Sequence, residues 1–224
     1  RRVLFRSAGN GGAISNSGFL SVTNSTVYSN TGDNGGGVFA SASATTSIFN
    51  STISQNSAEL DGGGIYMQGT VNLRNSIVAE NSSGGNCIIL GGIINTDSTS
   101  LDDDGSCGDA KRSDNINLGP LSDNGGPTLT QALLPGSEAI DTGLFDAAIG
   151  IDQRGIIRPQ GNAPDIGAFE VCDNFPASIS TETEFTKVVG CYNFAPAGEY
   201  EINIESDITL LTNTIPVEDR KSVV

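Results

Sequence analysis

Asparagine returns through the first half of this chain at a nearly fixed step. Asn24-Ser25-Thr26-Val27, Asn50-Ser51-Thr52-Ile53 and Asn75-Ser76-Ile77-Val78 are spaced by 26 and 25 residues, and a second asparagine follows six residues after each first, at Asn30, Asn56 and Asn81. Leu20 and Val22, Thr46 and Ile48, and Val71 and Leu73 precede the first asparagine by four and two positions. That alternation describes a short strand with one buried face. Each unit opens on glycines and an aliphatic residue: Gly11-Gly12-Ala13-Ile14, Gly35-Gly36-Gly37-Val38 and Gly62-Gly63-Gly64-Ile65. A repeat of this period cannot bury its apolar face alone, so successive units must stack as coils. Stacking sets like residues above like at roughly 4.8 Å. Asn24, Asn50 and Asn75 are then expected to point inward and bond amide to amide along the stack, with Asn30, Asn56 and Asn81 as a second column. A buried amide without a partner costs about 1–3 kcal/mol, which is why such a column needs identical residues.

Repeat length varies only between the last asparagine and the next glycines, over 31–34, 57–61 and 82–83. Insertions confined to one corner fit a solenoid with one variable loop face. Leucine-rich repeats share the period but need more leucine and a helical stretch. The hexapeptide rhythm of left-handed β-helices and the Gly-Asp nonapeptide of calcium-loaded β-rolls are absent. The pattern predicts an all-β chain, a right-handed parallel β-helix, with coils over 8–95.

The composition excludes several kinds of chemistry. The chain has no histidine, so it cannot by itself build a Ser-His-Asp triad, a Cys-His dyad or a histidine-ligated metal centre. Its net charge of −15 leaves no basic stripe for a phosphate backbone, so no nucleic-acid partner is expected. It has no run of 18 apolar residues, so no transmembrane segment is expected either.

Beyond the repeats, residues 84–170 are rich in Gly, Pro and Asp. They contain Asn86-Cys87, Ser106-Cys107-Gly108, the run Leu118-Gly119-Pro120-Leu121-Ser122-Asp123-Asn124-Gly125-Gly126-Pro127-Thr128, Ala132-Leu133-Leu134-Pro135-Gly136-Ser137, Ala139-Ile140-Asp141, Asp152-Gln153-Arg154-Gly155, Arg158-Pro159 and Asp165-Ile166-Gly167-Ala168-Phe169-Glu170. Together these strings resemble the choice-of-anchor Q domain proteins, bacterial surface proteins built on β-helix repeats. The resemblance implies an exported, surface-associated location and no particular reaction. Physically, 96–171 is expected to cap the open solenoid end, with Pro127, Pro135 and Pro159 stopping strand addition. Arg154 and Arg158 are expected to form ion pairs with nearby carboxylates, Asp152 and Asp165 among them, that lock this cap; a sugar-acid clamp is the competing reading.

Residues 172–218 change character. Ala177–Ser180 is strand-like, and Thr181-Glu182-Thr183-Glu184 is a capping box for a short helix through about Cys191. Tyr200–Ile204 and Asp207–Leu210 alternate as strands. The segment reads as the N-terminal cap and first coil of a second, truncated β-helix. Residues 1–7 and 219–224 resemble in-frame translations of sequencing adapters and are set aside from fold reasoning. The four cysteines allow three connectivities; local pairing, Cys87 with Cys107 and Cys172 with Cys191, is favoured, and zinc is disfavoured without C-x-x-C or histidine.

Catalytic motifs are sparse. Asn95-Thr96-Asp97 and Asp102-Asp103 echo fragments of galacturonan hydrolases, but the accompanying histidine and Arg-x-Lys are missing. Asp102-Asp103-Asp104-Gly105, with Asp109 beyond, offers hard oxygen ligands for calcium without the spaced pattern of a calcium loop, and a solvated loop closed by a disulfide is preferred. Glycosylation triplets at Asn24, Asn50 and Asn81 are assigned to structure. The chain is therefore expected to be a monomeric, exported, non-catalytic surface scaffold without cofactors, binding surface glycans or other cell-surface proteins. The alternative is a polysaccharide-active β-helix enzyme whose catalytic coils lie outside this sequence.

Overall fold

The computed structural model describes residues 2–3, 9–96, 98–172 and 179–194. Its first half is a parallel β-solenoid of four coils. The first sheet stacks Ile14–Asn16, Val38–Ala40, Ile65–Met67 and Cys87–Ile89. The second stacks Phe19–Thr23, Thr45–Phe49, Thr70–Arg74 and Ile93–Asn95. The third stacks Thr26–Tyr28, Thr52–Ser54, Ile77–Ala79, Leu101–Asp102 and Lys111–Arg112. Thr31–Asn34 pairs with Ser57–Asp61 at the variable corner. Arg2–Val3, inside the segment set aside as adapter-like, lies parallel to Thr26–Val27, because an open strand edge accepts any extended segment.

The register matches apolar residues rung to rung. Val22 lies over Ile48 and Ile48 under Leu73, while Val27, Ile53 and Val78 line the facing sheet, all buried in one core. Two left-handed residues bound each of the strands Thr26–Tyr28, Thr52–Ser54 and Ile77–Ala79 in the third sheet. Asn24, Asn50 and Asn75 have φ of 47°, 46° and 47°, and Ser29, Gln55 and Glu80 have φ of 54°, 53° and 58°. Asparagine tolerates this conformation well; serine, glutamine and glutamate do so at a cost. Glycine is required at the next corner. Gly35 has φ of +67°, and a Cβ on Gly36 would lie 2.3 Å from the carbonyl oxygen of Ser57 on the next coil.

The segment expected to cap the solenoid divides into two parts with different roles. Residues 103–112 close the end: Cys107 is buried against the interior, Ala110 packs beside it, and Lys111–Arg112 adds a last short strand. The following residues, to 171, do not sit over the end. They run back along the outside of the third sheet as a lateral layer, through an antiparallel hairpin, Leu118–Ser122 with Thr130–Leu133, and a 3-10 turn at Ala147–Ile149. The cause lies in the third sheet itself. Its outward column, Thr26, Thr52, Ile77 and Leu101, carries no charge, and the lateral layer buries it completely. Ile77, Ala79 and Leu101 form a second core with Ile116, Leu133, Ala139 and Ile166. A parallel sheet covered on both faces is the usual arrangement.

After the solenoid, Glu182–Phe194 is α-helical and extends three residues past the expected end. Its capping box is formed: Glu184 N donates to Thr181 Oγ1 at 3.2 Å, and Thr181 N donates to Glu184 Oε2 at 3.0 Å. Val188, Val189 and Tyr192 are buried. Residues 177–178 of the predicted strand at 177–180, and both predicted strands beyond 200, lie outside the described residues.

Relieving a strained corner tests this geometry. Ser29 is exposed and left-handed, so Ser29→Gly should raise the unfolding free energy by roughly 0.5–1 kcal/mol, and Ser29→Val should lower it, in urea titrations.

Candidate functional site

The second asparagine of each repeat forms the ladder. Asn30 Nδ2 donates to Asn56 Oδ1 at 2.9 Å, Asn56 Nδ2 to Asn81 Oδ1 at 3.0 Å, and Asn81 Nδ2 to Asn86 Oδ1 at 2.9 Å. The same oxygens accept the backbone N–H of the rung before, at 3.0 Å for Asn30 and Asn56 and 3.3 Å for Asn81. The remaining amide protons reach carbonyls: Asn56 to Val27 at 3.0 Å and Asn81 to Ile53 at 3.1 Å. Asn86 supplies the fourth rung from only five residues beyond Asn81, so no repeat spacing marks it.

Asn24, Asn50 and Asn75 stack in register, but their amides do not make the inward column expected of them. Asn24 Nδ2 donates to Ile151 O at 2.8 Å, and Asn75 Nδ2 donates to Leu144 O at 2.6 Å while its Oδ1 accepts from Leu144 N at 2.9 Å. Both therefore clamp the lateral layer. Asn50 and Asn75 are still buried, at 3% and 1% exposure, and the serine that follows each asparagine links rung to rung instead. Ser51 Oγ accepts from Ser25 N at 3.2 Å, Ser76 Oγ from Ser51 N at 3.2 Å, and Ser100 Oγ from Ser76 N at 3.3 Å. Ser51 and Ser76 also donate to Phe49 O and Arg74 O, at 2.8 and 2.9 Å. The recurrence of serine at 25, 51, 76 and 100 was available to find this ladder.

The acidic run ends the asparagine column. Asp103 accepts from Asn86 Nδ2 at 2.5 Å and Glu80 N at 2.8 Å. Asp104 accepts from Asn86 N, Ser106 N and Ser106 Oγ. Asp102 is buried and accepts from Gly105 N and Cys107 N. Burial raises the Asp102 carboxyl above its ordinary range, whereas in Asp104 the bonds from Ser106 and Asn86 outweigh burial and lower it. These carboxylates face backbone N–H groups, and among the described residues no group of three or more His, Cys, Asp or Glu is placed to hold a metal ion. Cys87 is bonded to Cys107, and Cys172 to Cys191.

Arg154 and Arg158 lie inside the lateral layer, 7% and 3% exposed, so they cannot clamp a sugar acid from solvent. Arg154 grips Asp152 Oδ2 through Nε at 2.9 Å and Nη2 at 2.8 Å, and lies 3.6 Å over the Phe169 ring. The carboxylate partner of Arg158 is Glu170, at 2.8 Å, rather than Asp165; Arg158 reaches the backbone carbonyl of Asp165 at 2.6 Å.

Among the described residues, the outer face of the second sheet stays open. Phe19 is 92% exposed and Ile93 59%. Thr45 and Thr70 lie between them in register, and two residues further along the same strands runs a polar column, Ser21, Ser47, Asn72 and Asn95. Asn72 Nδ2 donates to Ser47 Oγ at 3.1 Å and Asn95 Nδ2 to Asn72 Oδ1 at 2.8 Å. A shallow depression of about 240 Å³ opens beside it, lined by Phe49, Asn72, Leu73, Arg74, Asn95 and Thr96. Arg74 is the only basic residue within 8–95 and stands 4.0 Å from Asp146. Of the hydrolase-like fragments, Asn95 belongs to this column, Asp97 lies outside the described residues, and Asp102 and Asp103 face the chain.

No family model, curated protein or solved structure matches the chain.

The two asparagine columns should respond differently to substitution. Asn56→Ala strands the amide of Asn30 and the carbonyl of Val27 inside the fold and should cost about 2–4 kcal/mol. Asn24→Gly keeps the corner and loses one partly exposed bond, so it should cost less than about 1 kcal/mol in the same unfolding titration.

Proposed function

We propose that this chain is a non-catalytic scaffold of an exported bacterial surface protein, and that it binds surface glycans over the outer face of its second sheet. The open face carries this reading. It sets amides and hydroxyls at rung spacing beside Phe49 and Arg74, which suits the alternating apolar faces and hydroxyl edges of a sugar chain. The carboxylates that a hydrolase would use are engaged by backbone N–H groups, which favours a scaffold over the polysaccharide-active enzyme. Two disulfides agree with an oxidising, extracellular setting, as does the resemblance of 84–170 to choice-of-anchor Q domains. Among the described residues no helix is long and apolar enough to cross a membrane.

Affinity electrophoresis through gels containing pectate, alginate or neutral glycans tests binding. Retardation by at least one glycan is expected, reduced severalfold in Phe49→Ala/Asn72→Ala; equal migration in every gel contradicts the assignment. Incubation with the same polyuronates should release no reducing ends and no unsaturated product. Turnover abolished by Asp102→Asn or Asp103→Asn would instead establish the enzyme.

A further inference from the structure

Five ionisable side chains meet inside the lateral layer, Asp152, Arg154, Arg158, Asp165 and Glu170, none more than 7% exposed. Three carboxylates face two guanidinium groups, so full ionisation would bury one unmatched negative charge. The hydrogen bonds identify which carboxylate is left over. Asp152 is held by Arg154, and Glu170 Oε2 by Arg158. Asp165 has only backbone donors, Asp141 N at 2.8 Å and Val171 N at 2.6 Å. The partly exposed carboxylate of Asp141 adds no cation, and its Oδ1 accepts from Ala163 N at 3.4 Å. Glu170 is tied directly to its neighbour, because Asp165 N donates to Glu170 Oε2 at 2.9 Å.

An unpaired buried carboxylate costs several kcal/mol, and taking up a proton removes most of that cost. Burial first, and the charge of Glu170 second, push Asp165 up to about 7. Burial also raises Glu170, against the pull of Arg158.

The position of this cluster gives the proton a structural consequence. The strip that carries Asp165 and Glu170 touches the coils directly. Gly167 N donates to Asn75 O at 2.9 Å and Ala168 N to Thr52 Oγ1 at 3.1 Å, while Ile166 is buried with Ile77 and Leu101. We infer that one proton shared by Asp165 and Glu170 latches the lateral layer onto the third sheet, and that its loss above neutral pH loosens residues 165–170 from the coils. The unfolded chain releases such a proton near pH 4 and the folded protein near 7. Stability contributed here is therefore complete at or below about pH 4 and is lost as pH rises from there through 7. This inference does not depend on the glycan reading.

Carboxyl-detected NMR titration of the intact chain tests it directly. A midpoint above pH 6 at Asp165 or Glu170 is expected; midpoints below pH 5 at both would overturn the latch. Thermal melts supply the second measurement. The melting temperature should be roughly 3–8 °C lower at pH 8 than at pH 5, with faster exchange at Gly167 and Ala168 after correction for intrinsic rates. In Asp165→Asn, whatever its absolute stability, the fall should be less than half as large. A wild-type profile flat from pH 5 to 8, or an undiminished fall in the variant, would contradict the inference.

Discussion

A primary amide closed inside a protein has to find donors and acceptors at fixed distances, and one coil of backbone cannot supply them all. In this solenoid the next coil does. Asn56 receives two N–H groups from Asn30 on its oxygen and passes both of its own protons on, one to Asn81 and one to Val27. Each rung is satisfied only when the rung beside it is in register. The column therefore resists slippage in a way that the side chains of Val27, Ile53 and Val78, which make no directional bonds, cannot. At its far end the open donors of Asn86 meet Asp103 and Asp104, so the acidic loop terminates the hydrogen bonding that the repeats begin.

The lateral layer solves a different problem. Coiling alone would leave the outer side of the third sheet facing water with Thr52, Ile77 and Leu101. The chain covers it by folding back along the coils, using Asn24 and Asn75 as polar anchors and Ile166 as an apolar one. One sheet is thereby covered on both sides while the second presents its outer face to solvent. Structure and exposure are divided between faces of the same coil, and the surface proposed for binding is the open one.

The repeat made the fold readable because its period, its glycine corners and its alternating apolar pairs all specify the same coil. Direction within the coil was harder to read. Asn24, Asn50 and Asn75 have the stronger motif, yet they sit at the corner with positive φ, and spacing alone carries no sign of φ. The serine beside each asparagine recurs just as regularly, but serine is common in this chain and its ladder stood out less. Asn86 could not be found by period, since the short corner at 82–85 brings it into the column early. The fate of 96–171 depended on contacts across as many as 127 residues, between Thr26 and Gln153, which no local pattern encodes. The basic residues of the layer were legible as paired, but the choice of Glu170 over Asp165 by Arg158 is a matter of packing geometry.

Hydrogen exchange of the asparagine side-chain amides gives the most direct measure of whether the column carries the fold. If it does, the Nδ2 protons of Asn30, Asn56 and Asn81 exchange only through global unfolding, with the same denaturant dependence as the amides of Ile53 and Val78. Exchange of those protons at the rate of an exposed amide such as that of Asn115, while the backbone stays protected, would contradict the account.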